Sequence, residues 1–389
     1  LQGSRSEMEK KYDLLIVGAG IVGMAHAYEA RQRGLSVLVV EQNDRCVGAS
    51  IRNFGFITVS GQRAGDTWRR AAYSAQVWKN LTQLASIKVL HQGTWILCER
   101  PEAAEVAKAF LKTEMGKDCQ YVAKADYSKL DQFEVNPASG LNLENSVGLL
   151  YSPHEFRVES REAIPQLAQY LEEKRGVDFC WNTAVLSIED SEVKTSQGHY
   201  LADKVVICPG ASLTGIAKPY LHNRPLKLCT LQMLRVKVDA GYRLPGSVMT
   251  DNSLARYLGW ADLPEASALK ERIAKEMPEY LQEGIHLIVV QSEDGTLVVG
   301  DSHRYGAYEA VFASEQTDQL ILDLLRRVLN IKALNVVERW TGVYPSADAY
   351  DAFIEKVSPR LRVAVVSSGT GASTAFGLAK DNFDDWLTT

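Results

Sequence analysis

No stretch of this 389-residue chain stays apolar for the roughly 18 residues a membrane-spanning helix needs, so no membrane span is expected. Cysteine is sparse. Cys46, Cys98, Cys119, Cys180, Cys208 and Cys229 form no C-x-x-C pair and do not group with histidine at ligand spacing. That excludes the common zinc modules and any disulfide framework. Free thiols, no metal and a reducing, cytoplasmic setting are expected. Excess positive charge is also missing: 43 Lys and Arg stand against 48 Asp and Glu, a net charge of −5. A general nucleic-acid binder is excluded on that balance, although a local basic pocket is not. No internal repeat, low-complexity tract or disordered linker is present. What remains, 46% hydrophobic and 23% charged residues, is enough for two domains with substantial cores. The first seven residues, LQGSRSE, read as a non-native leader ahead of a start at Met8 and are set aside.

The chemistry begins at residues 12–42, YDLLIVGAGIVGMAHAYEARQRGLSVLVVEQ. Residues 14–17 predict a short buried strand, residues 24–33 a helix, and residues 36–40 a second strand ending at Glu41. Gly18, Gly20 and Gly23 fall between strand and helix at G-x-G-x-x-G spacing. Gly18 permits the tight turn, Gly20 lets a pyrophosphate approach the backbone, and Gly23 lets helix and sheet pack closely. The helix start, with Ile21 and Val22, offers unpaired N–H groups and a partial positive charge to phosphate. Glu41, with Gln42 beside it, stands where a carboxylate accepts the adenosine ribose hydroxyls. This predicts a dinucleotide site and leaves FAD and NAD(P) open.

Further helices are predicted over 66–85, 102–117, 161–175, 316–329 and 373–386. Strands are predicted over 93–98, 178–181, 184–189, 192–195 and 200–208. Four more, over 229–238, 255–260, 285–291 and 296–300, suggest an antiparallel sheet. The last two form a hairpin turned by Asp294–Gly295. The final predicted strand is 361–367. The expected fold is α/β: a Rossmann-like domain from residues 8–90, 150–220 and 330–389, interrupted by a β-sheet substrate domain from 91–149 and 221–329. A nucleotide domain interrupted in this way points to FAD.

Five motifs in order carry a resemblance. They are G-A-G-I-V-G with Glu41, residues 48–55 (GASIRNFG), 205–211 (VVICPGA), 340–345 (WTGVYP) and 368–373 (SGTGAS). The chain resembles the D-amino-acid oxidase superfamily of FAD-dependent oxidoreductases, with glycine and sarcosine oxidases among its members. ASIRNFGFI, VVGDSHRYG and RWTGVYPSADAYDAFIE further resemble a subfamily associated with phosphonate breakdown.

The resemblance implies a loop along the flavin, with Ala49 and Ser50 near the pyrophosphate and Asn53, Phe54 and Gly55 near the ring. It implies that Val185 meets adenine through its backbone, and that Gly210 and Gly342 lie against the cofactor. Gly369, Thr370, Gly371, Ala372, Ser373 and Thr374 open a helix whose N–H groups would face the negative charge of reduced flavin around N1 and the C2 carbonyl. Relatives that tether FAD use a histidine after the second strand or a cysteine before the late Pro motif. Here Ile51, Arg52 and Tyr344–Pro345 occupy those places, so non-covalent FAD is expected. The same late motif carries a carboxylate-clamping arginine in glycine and D-amino-acid oxidases, and Tyr344 replaces it here. By alignment, Val298 stands where sarcosine oxidases carry a lysine that helps O2 react.

Arg157, His303, Arg304 and Tyr344 are therefore the candidate substrate residues, with Arg52 and Arg235 as further cations and Trp340 as a pocket wall. No side chain is assigned as catalytic, because hydride transfer to flavin N5 needs only orientation and desolvation. The resemblance implies FAD-dependent oxidation of a small anionic amine, with O2 or another electron acceptor. 2-Aminoethylphosphonate or an N-methylated form would yield phosphonoacetaldehyde through an imine. A glycine- or sarcosine-type oxidase, a 2-hydroxy-acid dehydrogenase of related fold, and a flavin-binding protein without turnover are the other expectations.

Overall fold

The computed structural model describes residues 10–388, so the leader and Met8 lie outside it. Two sheets organise the chain. The first runs in the order Ala352–Lys356, Leu361–Val366, Gly198–Ile207, Lys11–Val17, Val37–Val40 and Asp178–Cys180. Every pairing along this path is parallel except that of the Ala352–Lys356 edge. A hairpin of Val185–Glu189 and Glu192–Thr195 extends from Gly198–Ile207. Val37–Val40 and Leu361–Val366 are buried at every residue. Parallel strands covered on both faces need such continuous apolar runs. Met24, Trp78, Leu167, Phe376 and Phe383, from the four helices Ile21–Gln32, Asp66–Leu84, Ser160–Arg175 and Gly371–Trp386, fill one face. Leu15, Leu38, Val193, Val205 and Val363 form the core on the other.

The second sheet is mostly antiparallel. Its order is Arg304–Gly306, Lys227–Val238, Leu297–Gly300, Ile288–Gln291, Ser247–Thr250, Val89–Cys98, Gly148–Val158 and Phe56–Ile57. Leu334–Ser346 pairs along the whole length of Lys227–Val238, and Gln120–Ala123 pairs with Gly148–Val158. The expected hairpin is present, with Gly295 at φ +88° in its turn.

One sequence expectation needs correction. Residues 255–260 are not a strand: the chain makes a 3-10 turn, Asp251–Ala255, and then a short helix, Leu258–Ala261. Backbone bonds from Tyr257 N–H to Ser253 and from Ala261 N–H to Tyr257 hold these turns locally. Residues 148–158 and 334–346 are strands of the second sheet, although 150–158 and 334–346 are expected from sequence in the nucleotide domain. Strand pairing rather than proximity along the chain decides this, and the polypeptide crosses between the layers at Glu159, just before the helix Ser160–Arg175.

Gly377 fixes the approach of two helices. A Cβ there would lie 2.5 Å from Arg70 Cα, and its N–H donates to Ser74 Oγ at 2.9 Å. Gly377→Ala must push Gly371–Trp386 away from Asp66–Leu84. A loss of about 1–3 kcal/mol, as for overpacked interiors, is expected in chemical denaturation, together with weaker flavin retention.

Candidate active site

At the first glycine turn, each conserved-spacing glycine has a separate steric reason. Gly18 sits at φ +110°, and a Cβ on it would come within 2.5 Å of the Cys208 carbonyl oxygen. A Cβ on Gly23 would be 1.9 Å from the Gly18 oxygen, so helix and turn touch backbone to backbone. Gly20 would place a Cβ 3.1 Å from Ser50 Oγ, within the cleft. The helix Ile21–Gln32 has no side-chain cap, but Ile21 N–H donates to Ser50 Oγ at 2.8 Å. No acceptor among the described residues takes the Val22 or Gly23 N–H. Glu41 is 9% exposed and accepts from Ala19 N–H at 3.1 Å and Asn43 N–H at 2.8 Å, which orients its carboxylate at the strand end.

Gly20, Glu41, Gln42, Ser50, Val185 and Gly210 line a cleft of about 600 Å³. Gly210 is at φ +55° with open space where a Cβ would stand. Ala49 starts a short helix, Ala49–Arg52. Asn53 then closes the loop: its Oδ1 accepts from Gly55 N–H at 2.7 Å, and its Nδ2 donates to the Ala49 carbonyl. Gly55 serves packing, since a Cβ would lie 1.7 Å from the Val158 oxygen. Gly342 lies 3.8 Å, measured from a built Cβ, from the Arg52 carbonyl beneath the same loop. The free amides, the oriented carboxylate and the Cβ-free walls fit the adenosine and pyrophosphate half of FAD.

The other end of the cleft leads to a second cavity of about 500 Å³. Arg52 and Val343 line the first and their chain neighbours Asn53 and Tyr344 line the second, so the two adjoin. Gly369, at φ +71°, packs on Tyr344: a Cβ would be 2.8 Å from the ring. Thr370 then precedes the helix Gly371–Trp386, which has no side-chain cap. Ser373 Oγ instead accepts from Thr58 N–H at 2.9 Å, and Thr374 Oγ1 donates to the Thr370 carbonyl at 2.9 Å. The Gly371 and Ala372 N–H groups therefore have no acceptor among the described residues. A 16-residue helix directs its positive end at this point, which suits the anionic edge of a reduced flavin.

The same cavity has a polar wall. His286 Nε2 lies 3.4 Å from Asp301 Oδ1, and His303 Nε2 lies 3.6 Å from Asp301 Oδ2. The two imidazoles stack with centroids 5.3 Å apart. Arg256 donates to Tyr305 Oη at 2.8 Å. Burial pushes the Asp301 carboxyl up to about 7, with Arg256 opposing the rise. Burial, reinforced by Arg256, holds both imidazoles well below their ordinary range. Burial also raises the Tyr344 hydroxyl far above the usual phenol range. The two imidazoles and the carboxylate come within 4.8 Å of one another, but a cation between them would meet the same Arg256 charge.

Of the residues chosen from sequence, His303 and Tyr344 line this cavity. Arg157 does not. It is fully buried, donating from Nε to the Phe54 carbonyl at 2.9 Å and pairing with Glu159 at 2.9 Å. Arg235 shares Glu159 at 3.1 Å, Arg52 is tied to the Val47 carbonyl, and Arg304 faces solvent beside Glu283. Trp340 donates to the Arg52 carbonyl away from the cavity, and Val298 is core. Arg256, His286, Asp301 and Tyr305 were missed. Asp301 lies two residues from His303 in the GDSHRYG segment, so the signal was available. Arg256 was hidden by reading its turn as a strand.

Arg157→Ala leaves the half-buried Glu159 beside a single arginine and empties a fully buried site. A loss of about 3–5 kcal/mol on denaturant unfolding is expected, with no selective rise in substrate KM. Glu41→Ala should weaken FAD retention about ten- to a hundredfold by flavin titration, the worth of hydrogen bonds to a charged group.

The comparisons agree with this geometry. Monomeric sarcosine oxidase from Bacillus sp. (strain B-0618) is 24% identical over 212 residues, 52% of each chain, so the match spans about half of that relative. Glycine oxidase from Bacillus cereus ATCC 14579 superposes with a TM-score of 0.73 at 16% identity, covering 97% of this chain and 95% of that one. L-Proline dehydrogenase from P. horikoshii gives 0.74 at 16% identity, covering 97% and 94%. At these identities the structures show a shared fold. The DAO model, described as FAD dependent oxidoreductase, matches residues 13–381, and the chain belongs to that family.

Proposed function

We propose that the protein oxidises a small anionic amine with non-covalently held FAD. The observation that carries this reading is Arg256. It lines the cavity, and among the described residues no carboxylate pairs with it; its one side-chain partner is the Tyr305 hydroxyl. Arg63, in the same cavity, is spent on Asp351 at 2.8 Å. Arg256 is thus the cation available to a substrate anion, on a different element from the arginine that Tyr344 replaces.

Bound FAD supplies the hydride acceptor. Arg256 and Tyr305 would hold the anionic group with charge-assisted bonds. Phe54, Phe56, Leu231, Met233 and Ile288 give the cavity its apolar surface and exclude water around the α-carbon. The amides of Gly371 and Ala372, at a helix start beside the cavity, would meet negative charge on the reduced flavin. Loss of hydride from the α-carbon of the neutral amine leaves an iminium, the protonated imine, which water hydrolyses to aldehyde and amine.

2-Aminoethylphosphonate or its N-methyl derivative, giving phosphonoacetaldehyde, is the specific substrate proposed. The subfamily resemblance supports it, as does a phosphonate's capacity to accept from Arg256 and Tyr305 together. Glycine- or sarcosine-type oxidation is the second reading, favoured by the relatives bearing those names.

Anaerobic mixing of the yellow protein with aminoethylphosphonates, sarcosine, glycine and 2-hydroxyglutarate tests both. Flavin bleaching by the aminoethylphosphonates is expected. Bleaching by sarcosine or glycine alone selects the second reading, and bleaching by the hydroxy acid alone rejects both. Arg256→Ala should raise KM about thirtyfold or more, the cost of about 2–5 kcal/mol for truncating one partner of a charge pair. An unchanged KM removes Arg256 from the site.

A further inference from the structure

Asp301 is 6% exposed, and its Oδ1 has no hydrogen-bond partner among the described residues. Such an atom is costly unless something else completes it. The groups around it come from five elements. Its own loop gives His303, and the segment before Ile288–Gln291 gives His286. The turn after Asp251–Ala255 gives Arg256 and Tyr257, while the strands Arg304–Gly306 and Lys227–Val238 give Tyr305 and Cys229. Tyr344 faces the same Arg256 from Leu334–Ser346.

The hydrogen-bond arrangement leaves a place for one proton. His303 Nδ1 lies 2.7 Å from the Gly284 carbonyl, which only accepts, so Nδ1 carries the hydrogen. In the neutral ring Nε2 is then a bare lone pair, and it points at Asp301 Oδ2 from 3.6 Å. With Asp301 ionised, two acceptors face each other. His286 does not relieve this: its Nδ1 meets Ser253 Oγ at 3.1 Å, and its Nε2 reaches only the other oxygen, Oδ1. A proton arriving at Oδ2 would join the carboxyl to His303 Nε2 and remove the repulsion.

An amine substrate brings such a proton. Free alkylamines are protonated at neutral pH, and the nitrogen lone pair must be released before the α-carbon gives up hydride. We propose that Asp301, with His303 behind it, is the acceptor for the substrate's ammonium proton. One N–H bond of the ammonium breaks, its electron pair stays on nitrogen, and an O–H bond forms at Asp301 Oδ2. No electrons are transferred in this step. His303 is a positioning residue that shares the proton. This inference rests on the amine-oxidation reading, because a hydroxy acid carries no ammonium.

The test is the pH dependence of anaerobic flavin bleaching by the amine that proves to be the substrate, in wild type, Asp301→Asn and His303→Gln. Wild-type kcat/KM should rise with pH through a break near 7, where the buried carboxyl ionises. Asp301→Asn should lose that break and fall about 10²–10⁴-fold at pH 7, the usual worth of a positioned acid–base group. It should recover to within about tenfold near pH 10, where the amine begins to deprotonate by itself. His303→Gln should keep the break at a shifted pH. An unchanged profile in Asp301→Asn overturns the proposal. So does a loss equal at all pH values in a variant that retains its flavin, since that marks a structural role. A stoichiometric divalent metal in the purified flavoprotein also overturns it. If no amine bleaches wild type, the parent reading fails instead.

Discussion

Two helices of this protein begin side by side, and the rest of the site depends on that arrangement. A Cβ on Gly371 would stand 3.5 Å from Ile21 Cγ2, so the starts of Gly371–Trp386 and Ile21–Gln32 are in contact. Each start lacks a side-chain cap and leaves amides without acceptors. Two like partial charges brought together are unfavourable, each worth about half an elementary charge. An anionic group between them changes the sign of that interaction. FAD has two such groups, the pyrophosphate and the reduced ring, and the two neighbouring helix starts, beside two adjoining cavities, would be their partners. Gly23 and Gly377 make this possible by removing the Cβ atoms that would hold the helices away from turn and neighbour.

This explains why the cofactor half was legible in the sequence. Gly18, Gly20, Gly23, Glu41 and residues 369–374 are adjacent in the chain to the turns they build, so spacing carries their geometry. The parallel strands were legible for a similar reason, being continuous apolar runs. The hairpin at Gly295 was legible from its turn. The strand-like reading of 255–260 failed because a short apolar segment suits either period, and packing of Gly259 against Gly61 decided for helix. The pairing of Leu334–Ser346 was not legible either, because its partner lies about a hundred residues upstream.

The substrate half was much less legible. An arginine's residue type does not say whether a carboxylate waits for it in the fold. Arg157 and Arg256 look alike in sequence, yet Glu159 consumes one, while among the described residues no carboxylate comes within ion-pair distance of the other and only the Tyr305 hydroxyl bonds it. His303 was identified, but its role depends on Gly284, which fixes its tautomer from 19 residues away. Gly284 in turn is confined: it sits at φ +61°, and a Cβ would lie 2.8 Å from His303 Cβ.

Charge balance then links the two halves. The imidazoles of His286 and His303 are neutral near pH 7, Arg256 is positive, and Asp301 is close to its midpoint. The wall therefore carries between zero and one positive charge, and the helix start at Gly371 adds a partial positive charge beside the same cavity. A zwitterionic amino acid brings no net charge to this field. In the proposed reading, an amine bearing a dianionic phosphonate would bring about one negative charge and complement it, with its anion toward Arg256 and its ammonium toward Asp301. Moving the ammonium proton to Asp301 leaves the total charge unchanged and shifts positive charge from substrate to wall. The electron-rich amine would then share the cavity with its apolar side chains and with a helix start suited to negative charge. That is the charge distribution that departure of a hydride from the α-carbon requires.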